Sequence, residues 1–175
     1  MKRALLRLLV LSPLVMFLIV GSVAAQERAT IQALATVVSS LRVVGTNNLQ
    51  FGTVTPGVNK SVDKTTIGFA GEWTIDGGGN AELAIAWVLP DSMFTSDTLS
   101  AMRISFSNTD ASFGNLPSQQ GSPIGTIDPN GPITRRLAAG GEMLIWIGGT
   151  VYPRISQTGG DYAADILISV AYTGN

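Results

Sequence analysis

The chain has 175 residues, of which 45% are hydrophobic and 13% charged, with a formal net charge of −1. That length and apolar content suit one domain with its own hydrophobic core. Cysteine and histidine are both absent, which excludes disulfides, cysteine nucleophiles, histidine general bases, and thiolate or imidazole metal sites. The 20 glycines favour short strands joined by tight turns over long helices.

The N-terminus has the three parts of a secretory signal peptide. Three basic residues precede an apolar run at 8–20, and small residues follow up to residue 25. The run is shorter than the roughly 20 residues of a membrane-spanning helix. We therefore expect a signal peptide at 1–25, cleavage before Gln26, and one exported domain at 26–175, located at the cell surface, outside the cell or in the periplasm. An uncleaved anchor is the alternative.

The predicted mature chain is acidic. It keeps eight basic and twelve acidic residues, a net charge of 8 − 12 = −4. Nucleic acid is therefore not an expected partner. Arg135 and Arg136 are adjacent, and we interpret the pair as a solvated loop end.

Period-two alternation of apolar and polar residues follows the signal peptide and predicts strands. The first alternating stretch, residues 30–38, places four apolar residues on one face: Ile31, Ala33, Ala35 and Val37. Two short strands are then predicted around residues 41–43 and 49–51.

A hairpin is predicted at residues 66–89. Ile67, Phe69, Trp73 and Ile75 share one parity, a glycine-rich turn follows Asp76, and the next stretch alternates again. On this interpretation Trp73 and Trp87 face the core.

Further strands are predicted along the rest of the chain. Met102, Ile104 and Phe106 alternate with polar residues, whereas residues 143–147 are almost wholly apolar and predict a central strand covered on both sides. Residues 108–135 are too long for a plain loop, so we expect a short strand near 124–127. The final stretch has the clearest alternation, with these residues on one face: Tyr162, Ala164, Ile166, Ile168, Val170 and Tyr172.

These elements predict an all-β fold, an immunoglobulin-like sandwich of two sheets and seven or eight strands. A small barrel is the alternative. Acidic residues next to glycine at 76–80 and 128–131 lack the ligand spacing of an EF-hand, so both are interpreted as turns. We find no pattern for a metal, a cofactor or a catalytic site, and we expect the protein not to be an enzyme.

Three stretches together carry a resemblance: Leu49-Gln50-Phe51-Gly52-Thr53-Val54, Gly71-Glu72-Trp73-Thr74-Ile75 with the strand to Pro90, and Gly159-Gly160-Asp161-Tyr162 with the strand to Tyr172. In order and spacing the chain resembles secreted bacterial domains of the domain of unknown function 4402 family, itself similar to spore coat protein U and chaperone–usher fimbrial subunits. One departure is Leu41, which stands where such relatives usually carry a cysteine.

The resemblance implies a structural subunit of a surface filament or coat. An extended segment of one copy would fill an apolar groove in the next. The implied donor residues are Ile31, Ala33, Ala35 and Val37, and the implied acceptor strand carries Ile166, Ile168, Val170 and Tyr172. The implied partners are other copies of the chain, a periplasmic chaperone and an outer-membrane usher.

Two alternatives remain open at this point. Residues 30–38 could be the first strand of their own domain, because they lie close to Leu41. The protein could also be a monomeric surface module that binds glycan or protein through residues 108–135.

Overall fold

The structure, a computed structural model, describes Gln32 and residues 40–174. The predicted signal peptide, its cleavage site and the four predicted donor residues Ile31, Ala33, Ala35 and Val37 lie outside the described residues. Those predictions therefore stay predictions.

Alternating residues produce thirteen strands and one short 3-10 helix in the described part of the chain. No helix in that part is long and apolar enough to cross a bilayer. The strands are β1 (Arg42–Asn47), β2 (Lys60–Val62), β3 (Gly71–Asp76), β4 (Glu82–Val88), β5 (Ser92–Thr95), β6 (Ala101–Ser105), β7 (Ala111–Gly114), β8 (Gly125–Ile127), β9 (Ile133–Arg136), β10 (Glu142–Ile147), β11 (Gly149–Tyr152), β12 (Tyr162–Ala163) and β13 (Leu167–Tyr172), with the helix at Pro117–Gln119.

The strands form three antiparallel sheets. Sheet 1 has the order β1-β3-β10-β7-β8, sheet 2 the order β12-β5-β6-β11-β2, and sheet 3 the order β13-β4-β9. The predicted all-β sandwich is confirmed. The described residues nevertheless contain more strands and one more sheet than expected.

The extra elements arise because the chain passes from one sheet to another within continuous apolar runs. Only Gly148 separates β10 in sheet 1 from β11 in sheet 2. A Cβ there would lie 2.8 Å from the backbone nitrogen of Lys64, so this close passage requires glycine. Alternation along 162–172 likewise continues from β12 in sheet 2 to β13 in sheet 3, and the sequence pattern does not mark the change.

Two core clusters hold the sheets together. The first fills the space between sheets 1 and 3, and the second lies on sheet 2 against residues 49–54; Phe106 packs on both. The buried members of the first are Ile75, Leu83, Ile85, Ala111, Ile127, Leu137, Met143, Ile145 and Ile147. Those of the second are Phe51, Val62, Ala70, Met102, Ile104 and Val151.

The predicted hairpin at 66–89 is wrong. β3 pairs with β1 and β10, and β4 pairs with β13 and β9, so the two strands face each other across the first core. β3, the first strand of the predicted hairpin, begins only at Gly71. Ile67 and Phe69 therefore precede the strand, and they are 73% and 50% exposed. Period two specifies which side chains face the core, but it does not specify the neighbouring strand.

The predicted central strand is confirmed, because β10 is the third of five strands in sheet 1. Its outer face is also covered: Leu144 and Trp146 are fully buried. The Trp146 indole donates to Glu72 Oε2 at 2.8 Å. Trp73 and Trp87, predicted as core residues, do face the first core but are only half-buried at its rim.

Candidate assembly groove

The predicted acceptor residues lie together on one face of the last strand. Ile166 directly precedes β13, and Ile168, Val170 and Tyr172 belong to it; all four are half-buried and pack on the first core. The alternating residues Leu167, Ser169 and Ala171 are exposed. The predicted orientation of this strand is therefore confirmed.

One backbone edge of β13 is open within the described part of the chain. β13 pairs with β4 on one side, and no described strand pairs with its other side. The Thr173 amide donates to the Glu82 carbonyl at 3.1 Å. Because hydrogen-bonded pairs alternate along an antiparallel ladder, the backbone groups of Ile168 and Val170 point to the open edge.

The inner face of β1 is poorly covered. Val43 lies opposite the fully buried Ile75 and so faces inward, yet it is 36% exposed. Gly45 lies opposite Trp73, and a Cβ on it would be no closer than 3.8 Å to the indole. Sheet 1 therefore extends past the cover that the described residues of sheet 3 provide.

β1 and β13 come near each other at both ends, because Leu41 and Tyr172 both lie close to Gly77 and because Gly45 and Ile166 line the same cleft. We call the space between their inward faces the β1/β13 groove; the inward residues along it are Val43, Gly45, Ile166, Ile168 and Val170. At one end the start of β1 meets the end of β13: the Tyr172 hydroxyl accepts from the Gly78 amide at 2.7 Å. A Cβ on Gly77 would lie 3.2 Å from Leu41.

At its other end the groove opens into a cleft of about 1140 Å³. We call this space the cleft. Residues 45–56 and 157–166 form most of its walls, with Trp73 and Tyr162 among the aromatic lining. Its only charged lining residues in the described part of the chain are Asp161 and Asp165. The cleft lies where the chain leaves β12 and enters β13.

Trp87 borders the groove from β4, directly opposite Ile168. Its Nε1 is buried and has no hydrogen-bond partner among the described residues. A buried donor without an acceptor is costly. Arg135 Nε on β9 is likewise buried without a partner among the described residues, so incomplete cover, rather than an unsatisfied polar atom, distinguishes the β13 side of the core.

The opposite edge strand of sheet 3, β9, also pairs only with β4 among the described residues, but it carries an inward charged side chain. Arg135 on β9 lies opposite the buried Leu83 and faces inward, with its guanidinium 5.2 Å from the centre of the Phe113 ring. The prediction that Arg135 and Arg136 form a solvated loop end is therefore wrong. Both belong to a strand, and only Arg136 is exposed, 3.7 Å from Glu82.

Several aspartates of the described chain stabilise local turns. Asp128 accepts from the Asn130 amide at 2.9 Å, as expected for a turn. A hydrogen bond from the Thr65 hydroxyl lowers the pKa of Asp63, and one from Thr95 lowers that of Asp97. Within the described residues, no group of three or more acidic side chains is placed to hold a metal ion.

Residues 108–135, the alternative binding region, consist largely of regular secondary structure rather than of a free loop. They contain β7, the 3-10 helix, β8 and most of β9, so the predicted strand near 124–127 is confirmed. Leu116 and Ile124 are exposed on this segment.

Several residues of the groove and of the cleft were not identified as site residues from the sequence. Val43 and Gly45 belong to a short edge strand, and Asp161 and Asp165 resemble ordinary polar positions of an alternating strand. The one signal in the sequence was parity: Val43 and Gly45 alternate with Arg42 and Val44, which indicates that they share one face of the strand. Parity does not reveal which inward residue lacks cover.

Comparison with known proteins adds no assignment. No family model matches the chain, and no curated protein matches it.

Proposed function

We propose that this protein is a non-enzymatic structural subunit of a bacterial surface filament or coat, whose copies assemble by strand donation. Each copy would be exported, and would insert residues 30–38 into the β1/β13 groove of a neighbour. A periplasmic chaperone and an outer-membrane usher are the further partners that this assembly route would use.

The observation that carries the proposal is the open edge of β13 beside the uncovered inner face of β1. An exposed edge with inward apolar residues is a template for another strand. The described part of sheet 3 leaves Val43 and Gly45 without cover where such a strand would lie. One added strand would pair the backbone of Ile168 and Val170 and bury these residues.

The proposed donor segment suits that position. Residues 30–38 carry no charge and alternate apolar with mostly polar residues. Nine residues in a strand span about 30 Å, which exceeds the length of β13. Apolar burial and main-chain hydrogen bonds would then both stabilise linked copies.

The proposal is tested by adding one positive charge on either side of a groove strand. Val43→Lys places a charge on the inner face of β1, and Ala171→Lys places one on the exposed outer face of β13. We expect the unmodified mature chain and Ala171→Lys to form linear multimers, and Val43→Lys to stay monomeric. Size-exclusion chromatography with light scattering measures this.

The controls distinguish a defect in folding from a defect in assembly. Urea melts should show that Val43→Lys is folded, because that side chain is already partly exposed. If the unmodified mature chain is monomeric at every concentration, strand donation is excluded and a monomeric surface module becomes the better function.

Deleting residues 26–38 gives a second test. We expect a folded or chaperone-dependent monomer that cannot polymerise and that binds a peptide of the deleted segment. If the deleted protein unfolds while the intact one is monomeric, the segment is an internal strand of its own domain.

The alternative function has one supporting observation. Leu116 and Ile124 are exposed on the segment at 108–135, where they could contact a ligand or a protein. Their substitution should not affect multimers formed through the β1/β13 groove.

A further inference from the structure

The cleft is large enough for an extended ligand. Its volume is about 1140 Å³, whereas pockets for drug-sized ligands measure about 300–1,000 Å³. Two lengths of chain, residues 45–56 and residues 157–166, form most of its walls. Its lining includes no residue of 108–135, the segment of the alternative function. The cleft is therefore a separate candidate binding site.

The walls of the cleft offer no continuous strand edge. Among the lining residues of the first wall only Gly45 and Asn47 belong to a strand, β1. In the second wall only Tyr162 and Ala163 do so, as the two residues of β12. A peptide that adds to a sheet needs a row of backbone donors and acceptors along such an edge. A ligand that is held by side chains fits these irregular walls better.

A glycine leaves the edge of one indole ring open to the cleft. Gly45 lies opposite Trp73, and a Cβ on Gly45 would be 3.8 Å from both Cδ1 and Nε1 of the indole. Both residues line the cleft. The Trp73 N–H has no hydrogen-bond partner among the described residues and, unlike that of Trp87, is not buried. The indole is therefore free to donate to a ligand in the cleft.

The second aromatic ring is held in place by hydrogen bonds. The Tyr162 hydroxyl donates to the Thr158 carbonyl at 2.8 Å and accepts from Gln157 Nε2 at 2.6 Å. Gln157 Nε2 also donates to the Ala101 carbonyl at 3.1 Å. Because its hydroxyl is bonded within the protein, Tyr162 contributes ring surface to the cleft. A ring that is already fixed loses little freedom when a ligand binds.

Four polar side chains of the cleft have unused hydrogen-bonding groups. Asn48 and Gln50 line one wall, and Asp161 and Asp165 line the other; all four residues are exposed. None of the four side chains has a hydrogen-bond partner among the described residues. Side-chain amides both donate and accept, and carboxylates accept at two oxygens. This set matches the hydroxyl groups of a sugar, each of which donates and accepts.

Aromatic rings beside such polar groups suit the two kinds of surface on a sugar ring. The faces of a pyranose carry C–H groups, which pack on the electron-rich face of an aromatic ring. The edge of the pyranose carries hydroxyls, which need hydrogen-bond partners when they leave water. The cleft has both kinds of lining along a space long enough for several linked rings.

The charges of the cleft disfavour acidic ligands. Asp161 and Asp165 are its only charged lining residues in the described part of the chain. Lys60 donates to the Thr53 carbonyl at 2.9 Å, but it does not line the cleft. Ligand carboxylates and phosphates are bound chiefly by arginine and lysine, and the two aspartates would repel them.

We infer that the cleft binds a neutral oligosaccharide, with Trp73 and Tyr162 against the sugar rings and the four unpartnered polar side chains on the hydroxyls. This inference adds a carbohydrate-binding activity to the chain and does not rest on strand donation. A surface subunit with this site would carry its own contact to polysaccharide.

NMR titration of the full mature chain tests the site with neutral hexasaccharides: cellohexaose, maltohexaose and chitohexaose. We expect at least one of them to shift the indole N–H resonance of Trp73, with a Kd of about 1 mM or tighter. The Trp87 and Trp146 resonances are internal controls, because the first N–H is buried and the second donates to Glu72. An unmoved Trp73 resonance with all three sugars at about 10 mM overturns the inference.

A matched pair of glycine substitutions locates the site. Gly45→Ala places a methyl group in ordinary van der Waals contact with the Trp73 indole, so the fold is kept while the N–H is covered. Gly131→Ala is the control, because nothing lies within 4 Å of its added Cβ and it belongs to the segment at 108–135. We expect Gly45→Ala to weaken binding about three- to tenfold, the effect of one lost hydrogen bond, and Gly131→Ala to leave it unchanged. No effect of Gly45→Ala, or a larger effect of Gly131→Ala, overturns the inference.

An acidic sugar tests the role of the two aspartates. We expect hexagalacturonate to bind the unmodified chain more weakly than the neutral sugar at low salt. Changing both Asp161 and Asp165 to asparagine keeps their shape and should raise the affinity for hexagalacturonate relative to that for the neutral sugar. Tighter binding of hexagalacturonate by the unmodified chain contradicts the inference. Light scattering measures assembly separately, so multimers that bind no sugar contradict this inference alone, and a monomer that binds sugar contradicts only strand donation.

Discussion

The two edges of sheet 3 are built in opposite ways. β9 turns a charged residue inward, and the Arg135 guanidinium covers the Phe113 ring. β13 turns only apolar and tyrosine side chains inward, and each of the two strands leaves one backbone edge unpaired among the described residues. An inward charge on an edge strand opposes further pairing, whereas an apolar inward face favours it. The inward charge therefore protects the β9 edge against further pairing, and the β13 edge carries no such protection.

The largest expected effect is the difference in unfolding free energy between truncating an aromatic residue on the β9 side and an aliphatic residue on the β13 side. Phe113→Ala should destabilise the fold by about 3 kcal/mol, because a ring packed on the first core is lost. Val43→Ala on the open side should cost less than about 1 kcal/mol in the monomer, since Val43 is already partly exposed. Urea unfolding of monomeric protein measures both; equal losses would mean that the two sides are equally closed.

A smaller effect is expected from the arginine that covers the protected edge. Arg135→Ala should cost about 1 kcal/mol through lost cation–π contact and packing of its aliphatic stem. Arg136→Ala, the exposed neighbour, should change the free energy of unfolding by less than about 0.5 kcal/mol. A double-mutant cycle with Phe113→Ala should give coupling for Arg135 alone. No coupling would show that the guanidinium does not protect this edge.

A still smaller effect is expected at the tryptophan beside the open edge. Trp87→Phe keeps most of the ring contact and removes a buried N–H that has no partner in the described chain. The two changes offset each other, so we expect a shift within about 0.5 kcal/mol in monomer stability. A loss above about 2 kcal/mol would mean that the indole N–H is satisfied and that this side of the core is complete.

The smallest effect is electrostatic and lies outside both edge strands. The pKa of Asp63 is lowered from its ordinary 3.8, mainly by the Thr65 hydroxyl. A lowered folded-state pKa gives stability that is present above the unfolded value and is lost as pH falls through the folded value. Thr65→Val should raise the pKa of Asp63, measured by NMR titration of its carboxyl carbon. An unchanged pKa would show that the hydroxyl does not hold the carboxylate.

The sequence by itself determined the all-β class and the inward face of most strands. The parity of Ile166, Ile168 and Val170 was readable because alternation in a half-buried strand directly reflects which side meets the core. The apolar run at 143–147 likewise identified the central strand, since only a strand covered on both faces lacks polar positions.

The tertiary structure decided which strands are neighbours and which edge is left open. Alternation is the same whether β3 and β4 form a hairpin or face each other across the core, so the sequence pattern led to the wrong pairing. The sequence predicts a loop position for Arg135, because it does not reveal that Phe113, distant in the chain, lies beneath its guanidinium. The exposure of Val43 could not be predicted from the sequence either. It depends on where the facing sheet ends, and contacts between segments distant in the chain determine where that sheet ends.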